Sequence, residues 1–245
     1  MLNALLLKVR RGDTPFYRTL KSIARAVLQA NLPIPRVLLP FFGFLYRLHF
    51  AIYSLIQRLI TFFYREPLFR GRCESVGKRL RLERMPEVEG HAKIYLGDDV
   101  AFTGKAGIYS GRFTDNPVLI VKDRSMIGHN AIISVNKEIV IDEDVIVGNN
   151  CVVADNDGHP RAADLRAQNA PLPERDIRPV HICRHAWIGR GAQIMKGVTI
   201  GEGAIISAYS VVVSNIPPYC LAMGNPAEVM MRGVGKPSRT SAQQV

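Results

Sequence analysis

Residues 181–217 read "HICRHAWIGRGAQIMKGVTIGEGAIISAYSVVVSNIP". Ile182, Ile188, Ile194, Ile200, Ile206 and Val212 stand at every sixth position. Four positions after each comes Ala186, Ala192, Val198, Ala204, Ser210 or Ile216, mostly small. Six is neither a helical period nor a hairpin spacing. Short strands with small residues at fixed corners are the pattern of a parallel β-helix built from hexapeptides. Each aliphatic residue is expected to point inward and stack on its equivalent one coil away.

The same frame runs earlier through Leu96, Phe102 and Ile108, then Val121, Ile127 and Ile133, then Ile141, Val147 and Val153. It slips within 109–120, within 136–140, and at length between 154 and 181. The longest slip opens on "VVADNDGHP", residues 152–160. Here a regular strand gives way to two carboxylates, Asp155 and Asp157, and an imidazole, His159. On an extended chain the three share one side, although Gly158 and Pro160 suggest a bend.

The chain carries sixteen Lys and Arg against six Asp and Glu in residues 1–90, a net of +10, and sixteen against fifteen beyond, a net of +1. Nearly all the basic excess therefore lies in the first third. "TPFYRTLKSIARAVLQANLP", residues 14–33, predicts a helix with Thr14 as cap and Pro15 in its first turn. Phe16, Leu20, Ile23 and Val27 share one face, while Arg18, Lys21 and Arg25 lie elsewhere. "PFFGFLYRLHFAIYSLIQRLITFFYREP", residues 40–67, is far more apolar. Its polar residues Arg47, Ser54, Gln57 or Arg58, Thr61 and Arg65 form one narrow stripe, with His49 off it.

Crossing a bilayer takes about 20 mostly apolar residues. The longest runs here without Arg or Lys are ten residues, 37–46 and 48–57. A helix lying in the interface keeps the stripe wet and avoids burying Arg47 and Arg58. Each nearby base adds about 1 kcal/mol of attraction to anionic lipid. The expected partner is an anionic membrane surface at the cytoplasmic face of a bacterial inner membrane; the alternative is a helical hairpin packed on protein. Aromatics this continuous do not interleave with bases as nucleic-acid binders require, so no nucleic acid is expected. The four cysteines form no CxxC pair and are read as reduced. Met1–Val9 is apolar but short, with its bases following it, and is not read as a signal peptide.

The expected organisation is a basic amphipathic helical region (1–72), a linker or cap (73–90), a β-helix (91–232) with a loop at 160–180, and a flexible tail (233–245).

Three pieces, "DNDGHP", "HAWIGRGAQIMKGVTIGEGAIISAYSVV" and "IPPYCLAMGNPAEVMMR", resemble the hexapeptide-repeat acyltransferases. That left-handed β-helix family includes the maltose and galactoside acetyltransferases and enzymes that O-acetylate bacterial surface polysaccharides. The resemblance covers about 91–232. It implies a homotrimer with active sites between subunits, acetyl-CoA as acyl donor, and His159 as general base on an acceptor hydroxyl. Asp155 and Asp157 would orient His159 or bind the acceptor. Trp187, Gly189, Ala208, Asn225 and Pro226 match positions where the family meets CoA, and Lys196 and Arg232 are candidates for its phosphates. Ser134 and Asn136, one coil before the His segment, are candidates for the acceptor, a glycan or glycolipid. Where the family reads Gly-Ser-Val-Val-Thr-Lys-Asp, this chain reads Tyr-Ser-Val-Val-Val-Ser-Asn at 209–215, without the usual Thr and Lys.

The chemistry stands beside the resemblance. Moving an acyl group from a thioester to an alcohol needs the alcohol's proton removed during attack. Imidazole, with an ordinary pKa near 6.5, suits that at neutral pH, and no metal is required. Two other readings remain. One is a zinc enzyme on the same fold, drawing on His129, His159, His181 and His185. The other is a β-helical scaffold with a membrane tether.

Overall fold

A computed structural model describes residues 2–31, 33–111, 114–234 and 236. Most of the tail expected at 233–245 lies outside the described residues. The chain divides into two compact units, Met1–Ser54 and Leu55–Val245.

In the first unit, α1 spans Leu2–Arg11. α2 spans Pro15–Gln29, and the Thr14 hydroxyl accepts the Tyr17 N–H at its N-terminus. The apolar face of α2 is uncovered: Phe16 is 70 % exposed and Val27 70 %. α3 (Leu39–Ile60) carries its large apolar side chains 36–65 % exposed and runs through a π-turn, Thr61–Arg65, into α4 (Glu66–Arg72). The continuous helical run Arg36–Arg72 is long and apolar enough, by length and composition, to cross a membrane.

The second unit is a left-handed parallel β-helix. Its strands form three parallel sheets, taken in rotation by the chain. One sheet holds Lys93–Leu96, Val118–Val121, Glu138–Ile141, Val180–Ile182 and Thr199–Ile200, with Ser75–Val76 at its edge. The inward column of the second sheet runs Phe102, Ile127, Val147, Ile188, Ile206, Ala222 in direct register. Every member is at most 1 % exposed. Burying each large aliphatic side chain contributes about 1.5–3 kcal/mol, so the period of six is the core itself. The small positions Ala186, Ala192, Ala204 and Ser210 are also at most 1 % exposed, at tight corners.

One expectation is corrected. Residues 73–90 are not a linker: Ser75–Val76, Arg81–Leu82 and Glu87–Glu89 form the first full coil, parallel to the second. Val76, Leu82 and Val88 keep the spacing of six, but Lys78, Arg79, Arg81, Glu83 and Arg84 crowd between them and mask it. α4 closes this coil. Phe69 is 2 % exposed, and the Arg70 and Arg72 guanidiniums donate to the carbonyls of Val76, Gly77, Gly90 and Ala92. Arg65, expected on a wet stripe, instead donates to the Glu83 carbonyl and to Gln57. The C-terminal end finishes in an antiparallel hairpin, Cys220–Gly224 with Ala227–Arg232.

Along one edge, Arg79, Asp99, Arg124, Asp144 and His185 occupy successive left-handed corners, φ 54–61°. Their charges alternate: Arg79 bonds Asp99, and the Arg124 Nε lies 2.7 Å from the Asp144 Oδ1.

Candidate active site

All three slips of the frame fall at the same corner, between the third sheet and the first. Their described residues are 110–111 and 114–117 after Gly107–Tyr109, 135–137 after Ile132–Ser134, and 155–179 after Val152–Ala154. Stacked on one edge, they enclose a cleft of about 300 Å³ lined by Thr114, Asp115, Asn116, Asn136, Lys137, Leu172, Glu174 and Ile177. Carboxylates and amides rim it, and Leu172 and Ile177 are buried in its wall. Of these residues the sequence reading named only Asn136. Asp115, Asn116 and Glu174 carry no repeat signal and become neighbours only through coil stacking.

The segment 155–160 begins where the strand Val152–Ala154 ends. Asp155 is 0 % exposed. Its carboxylate accepts the backbone N–H groups of Asn136, Lys137 and Glu138 and the side-chain amide of Asn156, at 2.6–3.0 Å. Burial pushes this carboxyl's pKa up, and the hydrogen bonds oppose it. With about four acceptor sites on a carboxylate all taken, Asp155 neither orients His159 nor meets an acceptor. It holds the 136–138 backbone in place, a correction to its expected role. Asn156, which the sequence reading passed over, donates to the Ser134 carbonyl and hydroxyl and accepts the Gly158 N–H at 2.8 Å. This turns the chain before Asp157 and His159 can line up with Asp155. An Asn followed two positions later by Gly is the local signal for such a turn. Ser134 is thereby engaged with Asn156, and the Asn136 Oδ1 accepts the Gly111 N–H.

Asp157 is also bound elsewhere. Its Oδ2 lies 2.6 Å from the Lys196 Nζ and 3.5 Å from the Arg161 Nε. Lys196, expected to meet CoA phosphates, has a side chain only 5 % exposed and is fully occupied by Asp157 and Asp176, so it is unavailable to a phosphate. His159 is exposed and, among the described residues, forms no ion pair.

The donor candidates gather at a different corner. Trp187 opens the strand Trp187–Ile188 between Ile146 and Ile205 and is 52 % exposed. Gly189 follows; a Cβ there would lie 2.6 Å from the Ile206 carbonyl oxygen and 2.7 Å from the Ala208 nitrogen. The glycine is thus required by the approach of the next coil. Ala208 sits on that neighbouring turn, and beside it Tyr209, 68 % exposed, lays its ring over Gly191. The Gly224 N–H donates to the Ser210 hydroxyl, drawing the hairpin turn with Asn225 and Pro226 to this corner. Arg232 pairs with Cys220 at the far end of the hairpin, four ladder steps away, about 13 Å at the usual strand rise. It is apart from the group.

The four histidines of the zinc reading do not converge. His181 bonds the Asp142 carboxylate at 2.8 Å, His185 lies 3.8 Å from Asp144, and the His129 Nδ1 accepts the Lys105 N–H. Asp142, His181 and Cys183 bring ligand atoms within 4.8 Å of one another. The Lys122 ammonium, 2.8 Å from Asp142, already supplies the positive charge there. Burial alone would raise the Asp142 carboxyl, but the bonds from Lys122 and His181 outweigh it and hold the pKa low. Burial, with Asp142 and Glu202, pushes the Cys183 thiol up.

Residues 179–214 match the family described as bacterial transferase hexapeptide (six repeats). A Schizosaccharomyces pombe protein provisionally named an acetyltransferase is 39% identical over 144 residues, 58% of this chain and 58% of that protein. A Saccharomyces cerevisiae protein with the same kind of name is 32% identical over 123 residues, 50% of this chain and 60% of that one. Staphylococcus aureus relatives, also provisionally named acetyltransferases, match at 48% over 54 residues, 22% of this chain and 27% of theirs. The chain thus spans between about a quarter and three-fifths of the length of the curated relatives it matches. Among solved structures, AntD, an N-acyltransferase from Bacillus cereus in complex with dTDP and coenzyme A, superposes with a TM-score of 0.58 at 17% identity. That match covers 74% of this chain and 92% of AntD and is a likeness of fold. The chain carries hexapeptide repeats and resembles the hexapeptide acyltransferases in both sequence pattern and fold.

Proposed function

We propose that this protein is an acyl-CoA-dependent O-acyltransferase, in the first place an O-acetyltransferase, acting on a sugar hydroxyl of a membrane-associated surface-polysaccharide or lipopolysaccharide intermediate. The observation that carries this is the state of His159. The Asp155 carboxylate is taken up by backbone N–H groups and the Asp157 Oδ2 by Lys196, while the His159 imidazole stands exposed where the coils open. The match to acetyltransferase-named relatives supports the reaction class.

In this reading His159 takes the proton from the acceptor hydroxyl as its oxygen attacks the thioester carbonyl. The tetrahedral intermediate collapses, the carbon–sulfur bond breaks, and CoA leaves as a thiolate that the imidazolium protonates. Acceptor oxygen gains the acyl group and the proton ends on sulfur. The cleft of about 300 Å³ has room for a sugar ring, and its carboxylates and amides suit hydroxyl groups. Trp187, Gly189, Ala208, Asn225 and Pro226 form the donor corner. A homotrimer, as the family resemblance implies, would set donor and acceptor walls together between subunits.

The bare apolar faces of α2 and α3 and the net +10 of residues 1–90 support a site on anionic membrane. An enzyme held there meets a lipid-linked acceptor at high effective concentration. The interfacial placement is favoured over spanning because Arg47 and Arg58 would lie within the hydrocarbon.

The test is acetyl-CoA consumption with membrane-extracted glycolipid as acceptor, the product read by mass, for the native protein and His159→Ala. Acetyl transfer that falls by about 10²-fold or more in the variant is expected. Equal silence of both with every acyl donor, alongside intact vesicle binding, would leave a tethered scaffold as the better reading.

A further inference from the structure

Lysine is almost never fully buried unless paired, and Lys196 is buried. It stands two residues after the strand Gln193–Ile194, on the fifth coil. Its ammonium lies 2.6 Å from the Asp157 Oδ2, 2.7 Å from the Asp176 carbonyl oxygen and 3.9 Å from the Asp176 Oδ1. Of the three N–H bonds of the ammonium, the Asp157 carboxylate and the Asp176 carbonyl accept two, and the Asp176 carboxylate lies within ion-pair distance. Asp157 is two residues before His159 and Asp176 is next to Ile177, a wall residue of the cleft. One side chain therefore fastens both ends of the long insertion to the coil beneath. The following residue repeats the attachment: the Gly197 N–H donates to the Arg178 carbonyl at 3.0 Å.

We propose that Lys196 is a positioning residue, which sets His159 through Asp157 and the Leu172–Ile177 wall of the acceptor cleft through Asp176. The kinetic part of this inference rests on the acyltransfer reading; the structural part does not. Three other bases lie near: Arg161 also faces Asp157, at 3.5 Å, the exposed Arg175 lies with Asp176 along a smaller cavity behind Pro160, and the Arg178 guanidinium passes beside Gly197. Removing the ammonium leaves two carboxylates facing each other across the base of the loop. The loop then lifts, and with it both the base and one wall of the cleft. Displacement of a reacting group by about 1 Å can cost 10²-fold in rate. Donor binding at the Trp187 corner does not involve this loop.

The experiment uses the full chain in three forms: native, Lys196→Met, and Lys196→Met combined with Asp157→Asn, which removes one carboxylate along with the ammonium. Amide hydrogen exchange is read separately over 157–177 and over the coils 180–212, together with KM and kcat for acetyl-CoA and for the acceptor. In Lys196→Met, exchange over 157–177 is expected to rise about tenfold or more while 180–212 stays protected. Acceptor kcat/KM is expected to fall about 10²-fold with the donor KM unchanged. The double variant should recover thermal midpoint relative to Lys196→Met without recovering activity. Unchanged exchange over 157–177, or a rise spread evenly over 180–212 in both variants, overturns the proposal. A raised donor KM with normal loop exchange also overturns it and returns Lys196 to phosphate binding. If the native protein transfers no acyl group at all, the acyltransfer reading fails, and the exchange result alone decides whether Lys196 holds the loop.

Discussion

The ring of Phe69 meets the ring of Phe102 edge-on, centroids 5.5 Å apart and planes at 80°. One residue belongs to the helix that closes the first coil and the other to the second coil of the core. Phe69→Ala is expected to lower unfolding free energy by about 3–5 kcal/mol, read by urea denaturation. Phe62 and Phe63, 67 % and 73 % exposed only a few residues earlier, should cost less than about 0.5 kcal/mol when changed to Ala. Equal effects at the three positions would mean that α4 does not close the coil.

The chain has a single tryptophan, and it stands half exposed at the corner proposed for the acyl donor. Titration with an acyl-CoA should therefore change the intrinsic fluorescence of Trp187. Trp187→Ala is expected to raise the donor KM by about tenfold, the scale of one lost aromatic contact, with kcat nearly unchanged. A fluorescence signal that stays flat at saturating donor would place CoA elsewhere.

Asp155→Asn should be far more damaging than the near-isosteric change suggests. An amide presents one acceptor oxygen and two N–H donors to a set of four hydrogen-bond donors. The 136–138 backbone loosens, and the acceptor KM rises while the donor KM holds. Loss of a hydrogen bond from a buried group costs about 1–3 kcal/mol, which a thermal melt would register. A variant with native melting and native kinetics would remove Asp155 from this role.

The acid limb of stability follows from the low carboxyl pKa values. Arg124 holds the Asp144 carboxyl below its ordinary range, and the bonds from Lys122 and His181 outweigh burial to do the same for Asp142. A depressed folded-state pKa means that the stabilisation is complete above the unfolded carboxyl value, near pH 4, and is lost as pH falls through the folded value. The thermal midpoint should drop between about pH 5 and pH 3, and drop less steeply in Asp142→Asn.

Neutralisation of Arg18, Lys21 and Arg25 to Gln tests the membrane surface. Three lost bases at about 1 kcal/mol each predict a fall in affinity for anionic vesicles of roughly 10²-fold, measured by flotation. Binding to neutral vesicles should change little. Retained binding of the triple variant at low salt would turn attention to α3 alone.

The fold was legible because its core repeats: six residues from Ile182 to Val212 state the period five times within one stretch. The first coil was not, because Val76, Leu82 and Val88 are surrounded by charged side chains that serve its corners and edges. His159 could be singled out because it stands where the repeat breaks. The roles of its neighbours could not. Alternation along a strand places Asp155, Asp157 and His159 on one side, but the Asn156 turn ends the strand between the first two. The burial of Lys196 is not legible in the sequence because it depends on the insertion folding back over it, which no local pattern records. Asp115, Asn136 and Glu174 share a cleft only because three interruptions of different lengths fall at one corner.

Parallel coils stacked edge to edge are, in polymer terms, a growing chain: each new rung leaves an unsatisfied edge that invites another, as in cross-β fibres. Here growth has an initiator and a terminator. The helix bearing Phe69 covers the first rung, and the hairpin Cys220–Arg232 reverses strand direction at the last. The alternating row Arg79, Asp99, Arg124 and Asp144 penalises a slip of one rung, because like charges would then face each other. The protein is in this sense an oligomer of fixed length, written in one chain and stopped at both ends.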